Sequence, residues 1–194
     1  MAQNNSFFAV FFRQKYINRW GLMRNVTKEN LSIHASEVAC IAHALAVIGN
    51  TYFQKNYDCN RVAVLALYHD MPEVFTGDLP TPVKYANKEL RDCYAKLESQ
   101  AVEQLINRLP REMQNEYKGL VDISPDEKEL KKLVKAADKL CALIKCIEEE
   151  KSGNRDFSSA KESTEKSLKK MDCEELDYFI ENFLPCFFGT LDEL

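Results

Sequence analysis

Residues 60–74 read NRVAVLALYHDMPEV. The apolar residues before His69 cover nearly the whole circumference of a helix, so this stretch predicts a helix that is buried on most sides. The helix ends in His69 and Asp70. Pro72 disfavours helical geometry at the residue before it and suits the first turn of a new helix, so we expect a short helix that holds Glu73. The stretch therefore predicts a histidine–aspartate pair at the end of a buried helix.

The rest of the chain also has the pattern of helices separated by turns. Six glycines and six prolines are few for 194 residues, and apolar residues recur at helical spacing without a repeat or a convincing strand. We therefore predict one all-α domain over residues 1–194. In the first half of the chain we predict a short helix at about 7–18, a helix from Ser32 as N-cap to Gly49-Asn50, the helix from about Asn60, and a turn-rich loop at 76–82. A long helix with the apolar stripe Leu90, Tyr94, Leu97, Ala101 and Leu105 follows and is closed by Pro110. The remaining predicted elements are a helix opened by Asp126-Glu127, a polar loop leading into a helix at 151–165, and a last helix holding Leu176, Phe179, Ile180 and Phe183.

The composition indicates a soluble protein of a reducing compartment. Charged residues make up 29% of the chain and the net charge is -4, so no global field attracts nucleic acid or an anionic membrane. The aromatic run at 7–12 is too short for a signal sequence, and no stretch approaches the roughly 20 apolar residues of a membrane span. Seven cysteines without a CxxC pair argue against a disulfide framework. We expect a cytoplasmic protein without nucleic-acid or membrane partners.

Two histidines and two aspartates stand on faces that should be buried. A lone histidine there is more often a core residue, and a buried aspartate is commonly paired with Arg or Lys or turned to solvent. Taken together, however, His34, His69, Asp70 and Asp138 match the ligands that one divalent transition ion such as Co or Mn prefers. Two carboxylates neutralise such an ion and leave two octahedral positions for water and a phosphate oxygen. The four residues are therefore predicted metal ligands.

The third histidine is predicted to lie away from this site. His43 follows His34 by nine residues, which places it on the opposite side of the same helix. We interpret His43 as structural or exposed. With only two histidines available, a histidine-rich dinuclear centre is not expected.

The order of the ligands resembles the H…HD…D signature of the HD superfamily, and the surrounding sequence is similar to the bacterial 5′-deoxynucleotidases. The resemblance covers about residues 7–192. The segments that carry it are INRW at 17–20, LMRNV at 22–26, YHDMPEV at 68–74, TGDLPTPVKY at 76–85 and KAADKLCA at 135–142. It implies a helical HD-type fold, a homodimer, activity with Co, Mn or similar ions, and hydrolysis of deoxyribonucleoside 5′-monophosphates to deoxyribonucleosides and phosphate by a metal-bound water.

The resemblance also implies roles for individual side chains. It makes Glu73 the general base, Arg19 a phosphate clamp, Asp78 a residue near the sugar or the leaving 5′ oxygen, and Trp20 a wall against a 2′-hydroxyl. The full set of implied substrate contacts comprises Arg19, Trp20, His34, Asp70, Asp78, Leu79, Pro80, Thr81 and Asp138.

Two departures and two alternatives stay open at this stage. Ile33 stands where the family usually has Glu before the first ligand, which predicts the loss of a polar neighbour, and Met71-Pro72 replace small residues. The first alternative is another HD-type hydrolase, a nucleotide phosphodiesterase or a triphosphohydrolase. The second is a non-catalytic helical binding protein with a vestigial metal site.

Overall fold

The computed structural model describes residues 5–84 and 86–193, and the predicted all-α class is confirmed. Within that part of the chain the only β feature is an isolated antiparallel bridge between Asn18 and Asn30. The helices are α1 Phe7–Phe11, α2 Leu31–Tyr52, α3 Cys59–Tyr68, α4 Glu73–Thr76, α5 Thr81–Lys84, α6 Lys88–Ile106, α7 Arg111–Val121, α8 Lys128–Lys151, α9 Ser158–Leu168 and α10 Glu174–Asn182, with 3-10 turns at Phe12–Tyr16, Pro125–Glu127, Arg155–Phe157, Leu184–Phe188 and Leu191–Glu193. Residues 1–4 and 194 of the predicted domain, and Tyr85 of the matching segment 76–85, lie outside the described residues.

The core is built around α2, which packs against α3, α8 and α10. Its centre includes Val38, Leu45, Leu65 and Leu140, all fully buried. Burial of each such side chain stabilises the fold by about 1.5–3 kcal/mol. A second cluster under α1 and α6 includes Met71, which is also fully buried. The predicted metal ligands lie on α2 and α8 and directly after α3, the helices that meet in the main core.

Helix α2 corrects the expectation that no stretch is long and apolar enough to span a membrane. It has 22 residues and a mean hydropathy of 1.6 over its most apolar window. Because α2 is the central core helix, its buried face against α3 and α8 explains much of this apolar character, although only 44% of the window is buried. Length and composition are therefore weak evidence for a membrane span here.

Several predicted helix ends were wrong by a few residues. The N-cap of α2 is Asn30 rather than Ser32, because the Asn30 side chain accepts hydrogen bonds from the N–H groups of Ser32 and Ile33. The same helix passes through Gly49, where the Tyr57 ring packs so closely that a Cβ atom would lie 2.6 Å from it. Gly49 is therefore a close-packing residue inside α2 and not its end.

The region between Pro110 and Asp126 contains a helix that the sequence reading left out. Helix α7 begins directly after Pro110 and buries Leu120 and Val121 at its end. Most of its residues are polar and only its last turn is buried, so its apolar signal is short. In the preceding helix α6, Leu90 and Leu97 of the predicted stripe are 38% and 47% exposed.

A buried polar network fixes the loop between the first 3-10 turn and α2. Glu149 of α8, 1% exposed, accepts hydrogen bonds from the N–H groups of Val26 at 2.9 Å and Thr27 at 3.1 Å, and from Asn154 at 2.6 Å. Lys145 donates to Glu149 and to the Thr27 carbonyl. Burial alone would raise the pKa of Glu149, but these hydrogen bonds lower it to about 2.

We predict that Glu149→Gln lowers the free energy of unfolding by about 2–3 kcal/mol at neutral pH, because hydrogen bonds to a charged acceptor are lost. The depressed pKa means that this stabilisation is present above the ordinary value of 4.5 and declines as the pH falls toward 2. Urea unfolding of both proteins from pH 7 downward measures the difference. Glu148→Gln, at an exposed neighbouring position, is the matched control. Equal destabilisation by the two substitutions would contradict the assignment.

Candidate metal centre and active site

The four predicted metal ligands converge at one point. His34 lies in the first turn of α2, His69 caps α3, Asp70 follows it, and Asp138 lies in the middle of α8. One ligand atom from each lies within 4.8 Å of all the others. The His34 Nε2 atom is 3.0 Å from Asp138 Oδ1 and 3.6 Å from Asp70 Oδ2, and His69 Nε2 is 3.1 Å from the same Asp70 oxygen.

Hydrogen bonding behind the imidazoles sets which nitrogen faces the cluster. The Nδ1 atom of His69 lies 2.6 Å from the Ala66 carbonyl oxygen, and Nδ1 of His34 lies 3.0 Å from Glu29 Oε1. The Ala66 carbonyl assigns a proton to Nδ1 of His69, so Nε2 of His69 presents a lone pair to Asp70, whereas in His34 it is Nε2 that forms a hydrogen bond, with Asp138, and Nδ1 has no partner in hydrogen-bond geometry. The buried His69 Nε2 has no hydrogen-bond partner. A divalent cation among these atoms would turn this repulsion into attraction, so the donor set fits a metal ion.

The charged groups of the cluster also favour a cation at this point. Burial opposes protonation of His69, but the Asp70 carboxylate beside it raises its pKa to about 9. The pKa of His34 is also raised, against its burial, by the carboxylates of Asp138 and Glu29. Positive charge is therefore stabilised at this point, and a divalent ion would take the place of the protons.

Glu29 is a residue of the site that the sequence reading missed. It is 6% exposed, and besides His34 it contacts Arg19, whose Nε lies 3.2 Å from Oε1, and Trp20, whose Nε1 donates to Oε2 at 2.6 Å. Glu29 lies in a polar loop without helical periodicity, so no spacing rule marked it. Ile33 is 44% exposed, and the polar neighbour of His34 in this structure is Glu29.

Arg19 and Trp20 lie beside the cluster. The Arg19 guanidinium is 3.3 Å from Asp70 Oδ2, so it links the loop that precedes α2 to the predicted metal centre. Trp20 has a positive φ of 59° and its ring centroid is 5.2 Å from that of Phe157. A left-handed conformation in a bulky residue stores strain, and such strain is common at functional sites.

The two remaining predicted catalytic carboxyl groups, Glu73 and Asp78, both have raised pKa values. Glu73 begins α4, and its buried Oε2 has no hydrogen-bond partner. Burial, with the charges of Asp70 and Asp78, raises the pKa of Glu73 to about 9. Burial also raises the pKa of Asp78, although the charge of Arg19 opposes it. Both groups therefore hold protons more tightly than ordinary carboxyl groups.

A cleft of about 610 Å³ opens beside the cluster, and His69, Asp70, Glu73 and Asp138 contribute to its lining. The predicted wall residues Leu79, Pro80 and Thr81 do not line this cleft, and neither do Arg19 and Trp20. The contacts of Leu79, Pro80 and Thr81 with substrate stay predictions. Met71 is fully buried, so this departure from the family pattern affects packing behind the site, whereas Pro72, although buried, also lines the cleft.

Comparison with known proteins now identifies the family. A model of the family described as 5′-deoxynucleotidase YfbR-like matches residues 6–187. The chain belongs to this family. It is 48% identical over 188 residues to a 5′-deoxynucleotidase of Pectobacterium atrosepticum, covering 97% of this chain and 94% of that protein. A 5′-deoxynucleotidase of Yersinia pestis is 49% identical, with 97% and 95% covered.

Solved structures share the fold of this YfbR-like chain. An HD-domain phosphohydrolase of Listeria innocua has a TM-score of 0.80 at 23% identity, covering 96% of this chain and 90% of that one. The HD phosphohydrolase of cyanophage S-2L, whose structure contains dA and one catalytic Zn²⁺ ion, has a TM-score of 0.67 at 20% identity, with 94% and 96% covered. These similarities establish the HD-type helical fold.

We predict that Glu29→Gln weakens metal binding about 10- to 100-fold, because the carboxylate that orients His34 is lost. Competition with a chromogenic chelator measures the dissociation constant for Co²⁺ in each variant. Glu129→Gln, at an exposed position in the first turn of α8, serves as the control. An affinity for Co²⁺ equal to that of the control would show that Glu29 does not support the metal centre.

Proposed function

We propose that this protein hydrolyses deoxyribonucleoside 5′-monophosphates to deoxyribonucleosides and phosphate. The observation that carries the proposal is the convergence of His34, His69, Asp70 and Asp138 beside the buried carboxyl group of Glu73. Membership of the YfbR-like family and the names of its relatives support the substrate class.

The side chains divide the chemistry among them. His34, His69, Asp70 and Asp138 hold a divalent ion, which supplies Lewis acidity toward phosphate and water when bound. Arg19 orients the phosphate through its planar guanidinium. Glu73 accepts the proton of the attacking water as a new P–O bond forms and the bond to the 5′ oxygen breaks. The charge of an ion held by the four ligands would oppose the raised pKa of Glu73, so that its carboxylate could act as a base.

Asp78 and Trp20 complete the proposed site on the sugar side. The raised pKa of Asp78 suits a group that donates a proton to the departing 5′ oxygen, so the leaving group departs as an alcohol. Trp20 is held by Glu29 and Phe157 and forms the wall against a 2′-hydroxyl. Leu79, Pro80 and Thr81 extend that wall.

The identity of the metal, the oligomeric state, the location and the partners are also part of the proposal. The ion is Co, Mn or a similar transition metal, since its ligands are two imidazoles and two carboxylates. The protein acts as a single HD-type domain, as a homodimer in the cytoplasm, and without nucleic-acid or membrane partners. The homodimer is supported by the family resemblance, and exposed aromatic residues such as Phe12 and Phe188 offer apolar surface for it.

A substrate panel tests the function directly. Metal-stripped protein receives Co, Mn, Mg or Zn and is assayed for phosphate release from dAMP, AMP, dATP and cyclic AMP. We predict phosphate from dAMP with Co or Mn and much less from AMP. Pyrophosphate or triphosphate from dATP, or AMP from cyclic AMP, would instead support the alternative HD-type hydrolases. No turnover of any member would support the binding-protein alternative.

We predict that Glu73→Gln lowers kcat for dAMP by about 10²- to 10⁴-fold, because the amide cannot accept the water proton. Metal content, measured by mass spectrometry, should stay near that of the wild type because Glu73 is not a ligand. Glu89→Gln, at an exposed position in the first turn of α6, is the control. A kcat within about twofold of this control would remove Glu73 from the mechanism.

A further inference from the structure

The lining of the cleft beside the metal centre extends well beyond the three predicted ligands that contribute to it, His69, Asp70 and Asp138. Its lining includes apolar side chains from three directions, with Val102 on α6, Val121 at the end of α7 and Val134 on α8. Four lysines also line it: Lys84, Lys118, Lys131 and Lys135. The predicted metal ligands and Glu73 account for the inner end of the cleft, but they do not account for the part that the valines and lysines line.

Electrostatics make an anion difficult to bring into this cleft. Its inner end carries Asp70, Glu73 and Asp138, and the whole chain has a net charge of -4. The proposed substrate is a phosphate dianion, and the net charge of the chain, with Glu98, Glu103 and Asp122 along the cleft, opposes its approach to the metal centre. Positive charge along the approach would reverse that repulsion.

Three of the four lysines are free to supply this charge. Lys84 is paired with Glu98 at 2.7 Å. In the part of the chain that the structure describes, Lys118, Lys131 and Lys135 form no ion pair or hydrogen bond through their side chains.

The spacing along α8 connects these lysines to the metal centre. Lys131 precedes Asp138 by seven residues, close to two helical turns, so both side chains project from nearly the same side about 10 Å apart along the axis. Lys135 lies between them. Glu103 and Asp122 also line the cleft, which leaves three unpaired lysines against two unpaired carboxylates beyond its inner end.

We propose that Lys131 and Lys135, together with Lys118, form a binding site for a phosphate dianion in the outer part of the cleft. The phosphate group of the substrate binds there before it moves along α8 to the metal centre, and released phosphate leaves by the same way. The identification of the anion with substrate rests on the proposed function, whereas the binding of phosphate does not.

Calorimetric titration with inorganic phosphate tests the site without turnover. Metal-loaded wild type is compared with the double variant Lys131→Gln/Lys135→Gln at low ionic strength. The control is Lys128→Gln/Lys132→Gln, which removes the same charge from positions on α8 that do not line the cleft. We expect the dissociation constant for phosphate to rise about tenfold in the first variant, as two exposed charge interactions would give, and to change little in the control.

Steady-state kinetics give a second measurement. In Lys131→Gln/Lys135→Gln the KM for dAMP should rise about as much as the phosphate dissociation constant, while kcat changes less than about twofold. The kcat/KM of the wild type should fall more steeply with added salt than that of the variant.

Phosphate affinity equal to that of the wild type, an equal loss in the control variant, or loss of metal from the first variant would each overturn the site. If phosphate binding depends on the two lysines but no monophosphate is hydrolysed, the proposed function fails and the anion site stands.

Discussion

At the centre of the fold, carboxylate oxygens and imidazole nitrogens are brought together around Asp70, and the rest of the structure depends on how these atoms are held. The Nε2 atoms of His34 and His69 lie 3.6 Å and 3.1 Å from one Asp70 oxygen, and Asp138 lies 3.0 Å from His34. His69 Nε2 has no hydrogen-bond partner beside Asp70, and the carboxylates raise the pKa of both imidazoles against their burial, so this arrangement favours positive charge at its centre. A divalent ion held there would join α2, α8 and the end of α3, so its binding would also stabilise the fold.

Support for that arrangement extends outward through the loop that precedes α2. Glu29 holds His34, Arg19 and Trp20 with one carboxylate. The same loop is tied to α8 by Glu149, which accepts N–H groups from Val26 and Thr27. A helix of the core thus positions the loop, and the loop positions His34, a predicted metal ligand. This explains why a long polar segment without secondary structure can contribute ordered groups to the centre.

The sequence predicted the parts of the site that helical periodicity and chemistry can reveal. His34, His69, Asp70 and Asp138 were recognisable because charged or ligating groups on apolar faces demand a partner. His43, which its phase predicted to lie away from the site as a structural or exposed residue, is exposed. Glu29 was missed because a loop has no period from which burial can be inferred.

Other differences have similar physical causes. Helix α7 was missed because most of its residues are polar and only its final turn is buried. Ser32 was predicted as the N-cap of α2 in place of Asn30 because both residue types can cap a helix, and only the side-chain geometry distinguishes them. Met71 was noted as a departure from the family, but only the structure shows that it fills the cluster beneath α1 and α6. The roles of Arg19, Trp20 and Asp78 toward substrate still rest on the family resemblance.

Anomalous diffraction from a Co²⁺-soaked crystal, recorded on both sides of the cobalt absorption edge, tests the central claim most directly. The account predicts one strong anomalous peak within about 2.0–2.3 Å of Nε2 of His34 and His69 and of one carboxylate oxygen each from Asp70 and Asp138. A peak elsewhere, or no peak at these four side chains under saturating Co²⁺, would contradict it.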